Sequence, residues 1–263
     1  MSRILHLSDL HFGTVEEGLA RSCLALAARL APDASVISGD LTQRARPGQF
    51  AAARAFADAL PQPVLVVPGN HDMPLWNLPL RLLAPFRRHA RAFGPDLEPT
   101  LMLPDAVLQG VNTANPLVWK SGLLRPAALA RLKARFAAAP PGHWRIAVLH
   151  HAPVPAADGT PADIADPVAA LRGLAAAGAQ IVLSGHTHMP HWGMAETHAG
   201  MLFLQVGTAI SARRKTDAND LSLIALDAGG VTLRSWLALP GRPFVEGPVS
   251  RFAHGEHGWS RQP

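Results

Sequence analysis

The sequence predicts an α/β domain with two β-sheets, helices outside them and a β-rich C-terminal portion. Three observations carry this. Short β-type runs alternate with Ala/Leu/Arg-rich segments of helical period through the first two thirds of the chain. The last third sets three apolar runs in succession with no helical pattern between them. Apolar residues make up 48% of the 263 residues and charged residues 16%, so a large core can form.

Taken in order, RILHLSD (3–9) reads as a strand and precedes the helical EEGLARSCLALAARLA. ASVISGD (34–40) precedes GQFAAARAFADAL, and VLVVPGNHD (64–72) precedes NLPLRLLAPFRRHARAF. Two short strands follow, TLMLPD and AVLQGVNT. The helical RPAALARLKARFAAA leads to strand WRIAVLHH (144–151), and DPVAALRGLAAAG leads to QIVLSGHTH (180–188). MLFLQVG, LSLIALD and VTLRSWLAL then read as consecutive strands. There are no internal repeats and no linker long enough to divide the chain. The expected organisation is one catalytic domain over 1–240 and a Gly/Pro-rich tail over 241–263.

Composition narrows the function classes. The single cysteine, Cys23, excludes a disulfide framework and a Cys-rich zinc site. No run approaches the roughly 18 apolar residues of a membrane span. The chain enters an apolar strand at once, without the pattern of a secretory leader, so the expected location is cytoplasmic. The net charge of +5 suits a phosphate-bearing substrate without identifying one.

Five helix-flanked strands end in titratable residues. The first gives Asp9 and His11, the second Asp40, the third Asn70, His71 and Asp72, a later one His150 and His151, and the last His186 and His188. Ligands of open α/β sheets bind beyond the carboxyl ends of the strands. In an extended chain residues two apart point to the same side, so His186 and His188 can reach one point. Each piece alone has an ordinary structural reading as a turn, a cap or a core histidine. Five such pieces at equivalent places make coincidence untenable. Imidazole with carboxylate and no thiolate suits Zn, Mn or Fe ions. The candidate ligands outnumber what one ion can take, whereas two ions sharing a carboxylate would use them all.

The set DLH, GD, GNHD, HH and GHTH, spanning Asp9 to His188, resembles the calcineurin-like metallophosphoesterases. In overall layout it is most similar to bacterial class III cyclic nucleotide phosphodiesterases and glycerophosphodiesterases. The resemblance implies a four-layer αββα sandwich and two divalent or mixed-valence metal ions. One ion would be held by Asp9, His11, Asp40 and His188, the other by Asp40, Asn70, His150 and His186, with Asp40 bridging. It also implies that His71 stands by the leaving group rather than on a metal, with Asp72 as its orienting partner. His151 is expected to be structural or to support the ligands from behind.

The resemblance therefore implies a phosphodiesterase in which a metal-bridging hydroxide attacks phosphorus. Small diesters such as cyclic nucleotides lead as substrates. Arg44, Arg46, Arg213, Arg214 and Lys215 lie in loops near the strand ends, where solvated surface charge is the default reading. The basic amphipathic stretch 76–91 raises a lipid-surface contact. With it comes the alternative of a UDP-diacylglucosamine-type pyrophosphate hydrolase, disfavoured because those enzymes carry Arg where this chain has His71. A nuclease is a further alternative, although no aromatic-basic stacking pattern marks a nucleic-acid groove. A non-catalytic scaffold is disfavoured because every ligand position is filled. Oligomers occur among similar enzymes, so self-association is an open expectation.

Overall fold

The computed structural model describes residues 1–195 and 198–263. The first three strand–helix steps are β1 (Arg3–Leu7), α1 (Glu17–Leu30), β2 (Ala34–Ser38), α2 (Pro47–Ala59) and β3 (Val64–Val67). Two short helices follow, α3 (Leu78–Leu83) and α4 (Arg87–Phe93), then β4 (Thr100–Leu103) and β5 (Ala106–Val111). α5 (Pro126–Ala137), β6 (Trp144–Leu149), α6 (Pro167–Ala176) and β7 (Ile181–Ser184) complete the alternating part. The rest is β8 (His191–Ala195), β9 (His198–Gln205), β10 (Asn219–Leu226), β11 (Gly230–Ala238), β12 (Val245–Gly255) and β13 (Gly258–Gln262).

These strands make two mixed sheets. One has the order β13-β12-β11-β10-β1-β2-β3, and the other β4-β5-β6-β7-β9-β8. The strands that begin each βα unit pair in parallel, β1 with β2 with β3 and β5 with β6 with β7, while β10 to β13 form an antiparallel meander against β1.

Alternation along the strands builds the layers. In β6, Ile146 and Val148 enter the core between the sheets, while Ala147 and Leu149 face the core under α5 and α6. In β1, Ile4 joins the inter-sheet core, and Leu5 and Leu7 pack beneath α1 and α2 with Leu26, Phe50 and Phe56. The result is helices, sheet, sheet, helices, the αββα sandwich that the sequence predicts.

Three details differ from the sequence reading. The helical stretch after the Asn-His-Asp motif is two helices, because Pro85 drives the preceding Ala84 out of helical geometry (φ −152°, ψ 58°). β8 was not foreseen, since HWGMA lacks an apolar alternation. The Gly/Pro-rich segment after Pro240 is no loose tail: β12 and β13 pair along the edge of the first sheet, and Phe252 and Trp259 enter the inter-sheet core.

Candidate metal centre

The carboxyl ends of β1, β2 and β3 in one sheet meet those of β6 and β7 in the other. Backbone bonds tie the ends together, Asp9 N to the Gly39 carbonyl at 3.0 Å, His11 N to the Asp40 carbonyl at 2.9 Å and Gly185 N to the His150 carbonyl at 3.2 Å. Here the chain turns back sharply. Asp9 (φ 53°), His11 (47°), Asp40 (50°), His186 (75°) and His188 (58°) all lie in the left-handed region. Side chains other than Gly rarely adopt it, and such strain gathers at functional sites. The motif glycines allow close approach. A Cβ on Gly69 would run into the Asp40 carboxylate and backbone, and one on Gly185 into the Ser8 hydroxyl and the Asp9 carboxylate.

Six of the seven residues expected to bind metal converge, and Asn70 is buried between Gly69 and His71, which both meet Asp40. The Nε2 atoms of His11 and His188 are 3.0 Å apart, and His188 Nε2 is 3.1 Å from Asp9 Oδ1. Asp40 Oδ2 lies 3.7 Å from His11 Nε2 and 3.4 Å from His150 Nε2, so Asp40 stands between two groups of donors. Asn70 follows β3 in a single turn of 3-10 helix and is buried. His186 packs against His150 with ring centroids 5.1 Å apart.

The donor chemistry fits two cations. Asn70 Oδ1 is buried with no hydrogen-bond partner, and the buried Asp9 Oδ1 and His150 Nε2 meet only other candidate ligands, His188 and Asp40, a costly state for polar atoms unless a bound ion satisfies them. Asp9, His11 and His188 form one cluster of ligating atoms within 4.8 Å, and Asp9, Asp40 and His150 another.

Electrostatics agree with this. Burial alone would push the Asp9 carboxyl up, but the imidazoles of His188 and His150 hold it well below the usual carboxylate range. Asp40 behaves alike, burial being outweighed by His150, His71 and His11. Burial pushes His150 down, yet the carboxylates of Asp40 and Asp9 reverse this and hold it up at about 9. Both carboxylates are therefore ionised, and a proton on His150 stands where a metal's charge would.

His71 lies beside this group, its ring edge-on to His11 at 4.8 Å. Its Nδ1–H donates to the Gln43 carbonyl at 2.9 Å, and its Nε2 accepts from Arg213 Nη1 at 3.1 Å. Asp72 does not orient this ring. Its carboxylate accepts from Gly69 N, Leu41 N, Thr42 N and the Thr42 hydroxyl, stitching the β2 and β3 loops together. The 3-10 turn carries the two side chains in different directions, which the sequence pattern does not reveal. Burial and then the charge of Asp40 push Asp72 up to about 7, against its backbone donors.

His151 uses both ring nitrogens away from the centre, with Thr113 Oγ1 and the Lys120 carbonyl each at 2.9 Å. It thereby anchors the loop after β5. Arg213 turns inward instead of into solvent. Its Nη1 also donates to Gln43 Oε1 at 3.1 Å, and its carbonyl accepts from His188 Nδ1 at 2.6 Å. Gln43, Lys120 and Asp163 belong to no motif; they sit in loops and reach the centre only through the fold.

Residues 2–190 match the family described as calcineurin-like phosphoesterase. Over 80 residues the chain is 38% identical to a glycerophosphodiester phosphodiesterase, GpdQ, of Enterobacter lignolyticus (strain SCF1); the match covers 26% of this chain and 29% of that enzyme. A dimetal phosphatase from Danio rerio has the same fold, with TM-score 0.65 and 14% identity over 94% of this chain and 98% of that one. The purple acid phosphatase PPD1 from yellow lupin (Lupinus luteus) seeds also superposes, with TM-score 0.65 and 13% identity over 93% of this chain and 52% of that one. With the family match covering β1 to β7 and every motif that supplies the centre, this chain belongs to the calcineurin-like phosphoesterases.

Proposed function

We propose that the chain is a binuclear metal-dependent phosphodiesterase acting on small diesters. The observation that carries this is the buried cluster of ligand atoms at the ends of two sheets, in which Asp9 Oδ1 and His150 Nε2 meet only other candidate ligands and the buried Asn70 Oδ1 has no partner. Asp9, His11, Asp40 and His188 would hold one ion. Asp40, Asn70, His150 and His186 would hold the other, with Asp40 shared. Two transition-metal ions held by these residues would supply positive charge for the phosphoryl oxygens and acidify water at the site.

The chain's own groups supply the rest. The Gln43 carbonyl takes the Nδ1–H of His71, leaving Nε2 as the nitrogen that exchanges a proton with the leaving oxygen. In the resting structure Arg213 donates to that nitrogen. To act as an acid Nε2 takes a proton from solvent before the ester bond breaks and gives it to the departing oxygen; an N–H there no longer accepts from Arg213, whose guanidinium is then free for a phosphoryl oxygen. Asp72 serves by holding the loop that carries Asn70 and His71 rather than by touching a reacting atom.

A diester is favoured because a glycerophosphodiester phosphodiesterase is similar to this chain over 80 residues. Cyclic nucleotides and glycerophosphodiesters are the leading candidates. The test is a panel on metal-loaded protein: bis-p-nitrophenyl phosphate, p-nitrophenyl phosphate, cyclic nucleotides, glycerophosphodiesters, single-stranded DNA and UDP-diacylglucosamine. Diesters should turn over faster than the matched monoester. A preference for the monoester reassigns the chain as a phosphatase, and no turnover by protein holding both ions would favour a scaffold.

A further inference from the structure

Asp163 lies outside the metallophosphoesterase motifs, on the loop between β6 and α6. Its Oδ2 is 2.9 Å from His186 Nε2 and 2.6 Å from Lys120 Nζ. The neighbouring histidines explain why this matters. His150 Nδ1 is tied to the Ser38 carbonyl at 2.8 Å, which leaves its Nε2 for a metal. His188 Nδ1 is tied to the Arg213 carbonyl at 2.6 Å, which likewise leaves Nε2. At His186 the order is reversed, because Nε2 is the occupied nitrogen and Nδ1 is left. Its acceptor is a full carboxylate held by a lysine, not a neutral carbonyl.

We propose that Asp163 is the positioning residue of the second metal. It accepts the Nε2–H of His186, fixes that tautomer and makes Nδ1 the coordinating atom. A carboxylate behind a ligating imidazole orients the ring and raises its basicity. Lys120 holds Asp163 in place, and its carbonyl holds His151, whose ring lies 4.4 Å from that of His186. The loop after β5 thus supports the second ion through two histidines and leaves the first ion untouched.

This inference rests on the binuclear reading, and the experiment separates the two. Wild type, Asp163→Asn and Asp163→Ala are stripped of metal, checked for equal melting temperature, and titrated with Mn²⁺ by calorimetry. Imidazole tautomers are read by long-range ¹⁵N NMR on the Zn²⁺ form. Wild type binding only one ion defeats the binuclear reading itself. With two ions in wild type, the expected result is a His186 proton on Nε2 and loss of affinity in both variants for one ion only. That loss should be about 10- to 100-fold. Unchanged affinity for both ions, equal loss of both, or a wild-type His186 proton on Nδ1 overturns the role of Asp163.

A separate observation concerns the surface. Trp76 (83% exposed), Leu83 (86%) and Leu117 (78%), with Leu78, Leu82 and Trp119, stand exposed on two segments distant in sequence. Arg81 joins them. It is buried, donates to the carbonyls of Pro74, Pro116 and Val118, and lies over the Trp119 ring at 4.8 Å. Contiguous apolar surface of this kind marks an interaction site. The patch flanks the metal centre, since Pro74 follows the Asn-His-Asp turn and Lys120 holds Asp163.

Charge selects the occupant. Neither 73–94 nor 106–126 contains an acidic residue, while Arg87 and Arg91 are exposed and Lys120, also exposed, is paired with Asp163. A two-fold contact between copies would set these cations against themselves. The geometry points to peripheral docking on an anionic lipid surface, with the apolar side chains entering the headgroup boundary and the cations facing the headgroups. Co-sedimentation with phosphatidylglycerol/phosphatidylcholine vesicles and with pure phosphatidylcholine vesicles tests it. Wild type should bind the former at least about tenfold more tightly, and the Leu83→Asp/Leu117→Asp double variant should lose this binding while hydrolysing soluble diester normally. Equal binding to both vesicle types, no binding to either, or a wild-type dimer that the double variant disrupts overturns the proposal.

Discussion

Metal uptake should expel a proton from His150. In the metal-free protein its imidazole is held up at about 9 by Asp40 and Asp9 despite burial, so it is almost fully protonated near neutral pH. Coordination needs the neutral ring, and each ion bound through it must displace that proton. A group titrating there predicts that affinity for the ion on His150 rises about 30-fold between pH 6.5 and pH 8, or about 2 kcal/mol. His188 is also raised, burial being outweighed by Asp9, so it adds to the effect on the other ion. His11 and His186 are lowered, chiefly by burial, and release nothing. Without metal the sign is opposite. A histidine whose folded value is raised stabilises fully below its unfolded value, near 6.5, and that contribution is lost as pH climbs through about 9. Metal-free protein should therefore lose this part of its stability over the range in which metal binding tightens. The assay is calorimetric titration with Mn²⁺ in buffers of different ionisation enthalpy. The slope of observed enthalpy against ionisation enthalpy should give about one proton or more released per chain. A slope of zero at pH 7 would refute the argument.

Other expectations follow from the same geometry. Asp40→Ala should lose both ions more readily than any other single ligand change, because Asp40 alone stands between His11 and His150; elemental analysis after dialysis checks this. His71→Ala should keep both ions and lose about 10²–10⁴-fold in rate on esters with poor alkoxide leaving groups, but little on nitrophenyl esters. Equal losses on both would remove its acid role. Gly69→Ala should weaken metal retention and activity together, since its Cβ would collide with the Asp40 carboxylate; metal content like that of wild type would contradict this.

The sandwich was legible because each layer has its own sequence signature. Alternating runs such as WRIAVL put Ile146 and Val148 on one core and Ala147 and Leu149 on another. The candidate ligands could be picked out as a group because the rule that sites lie beyond strand ends applies to each βα unit in turn. β12 and β13 were hidden by glycine and proline, whose turn signals outweighed a pairing made only through the sheet edge. The partner of His71 was hidden for another reason. Adjacent residues in a 3-10 turn point apart, so Asp72 serves the β2 loop while a carbonyl from Gln43, distant in sequence, takes the imidazole. Arg213 and Asp163 reach the centre from loops, whose paths no periodicity encodes.

The most direct test of the two-ion centre is anomalous diffraction from crystals of Mn²⁺-loaded protein. Two peaks are predicted, one among Asp9, His11, Asp40 and His188 and one among Asp40, Asn70, His150 and His186, with Asp40 contacting both. A single peak at full loading, or a second peak away from Asn70 and His150, would contradict the account.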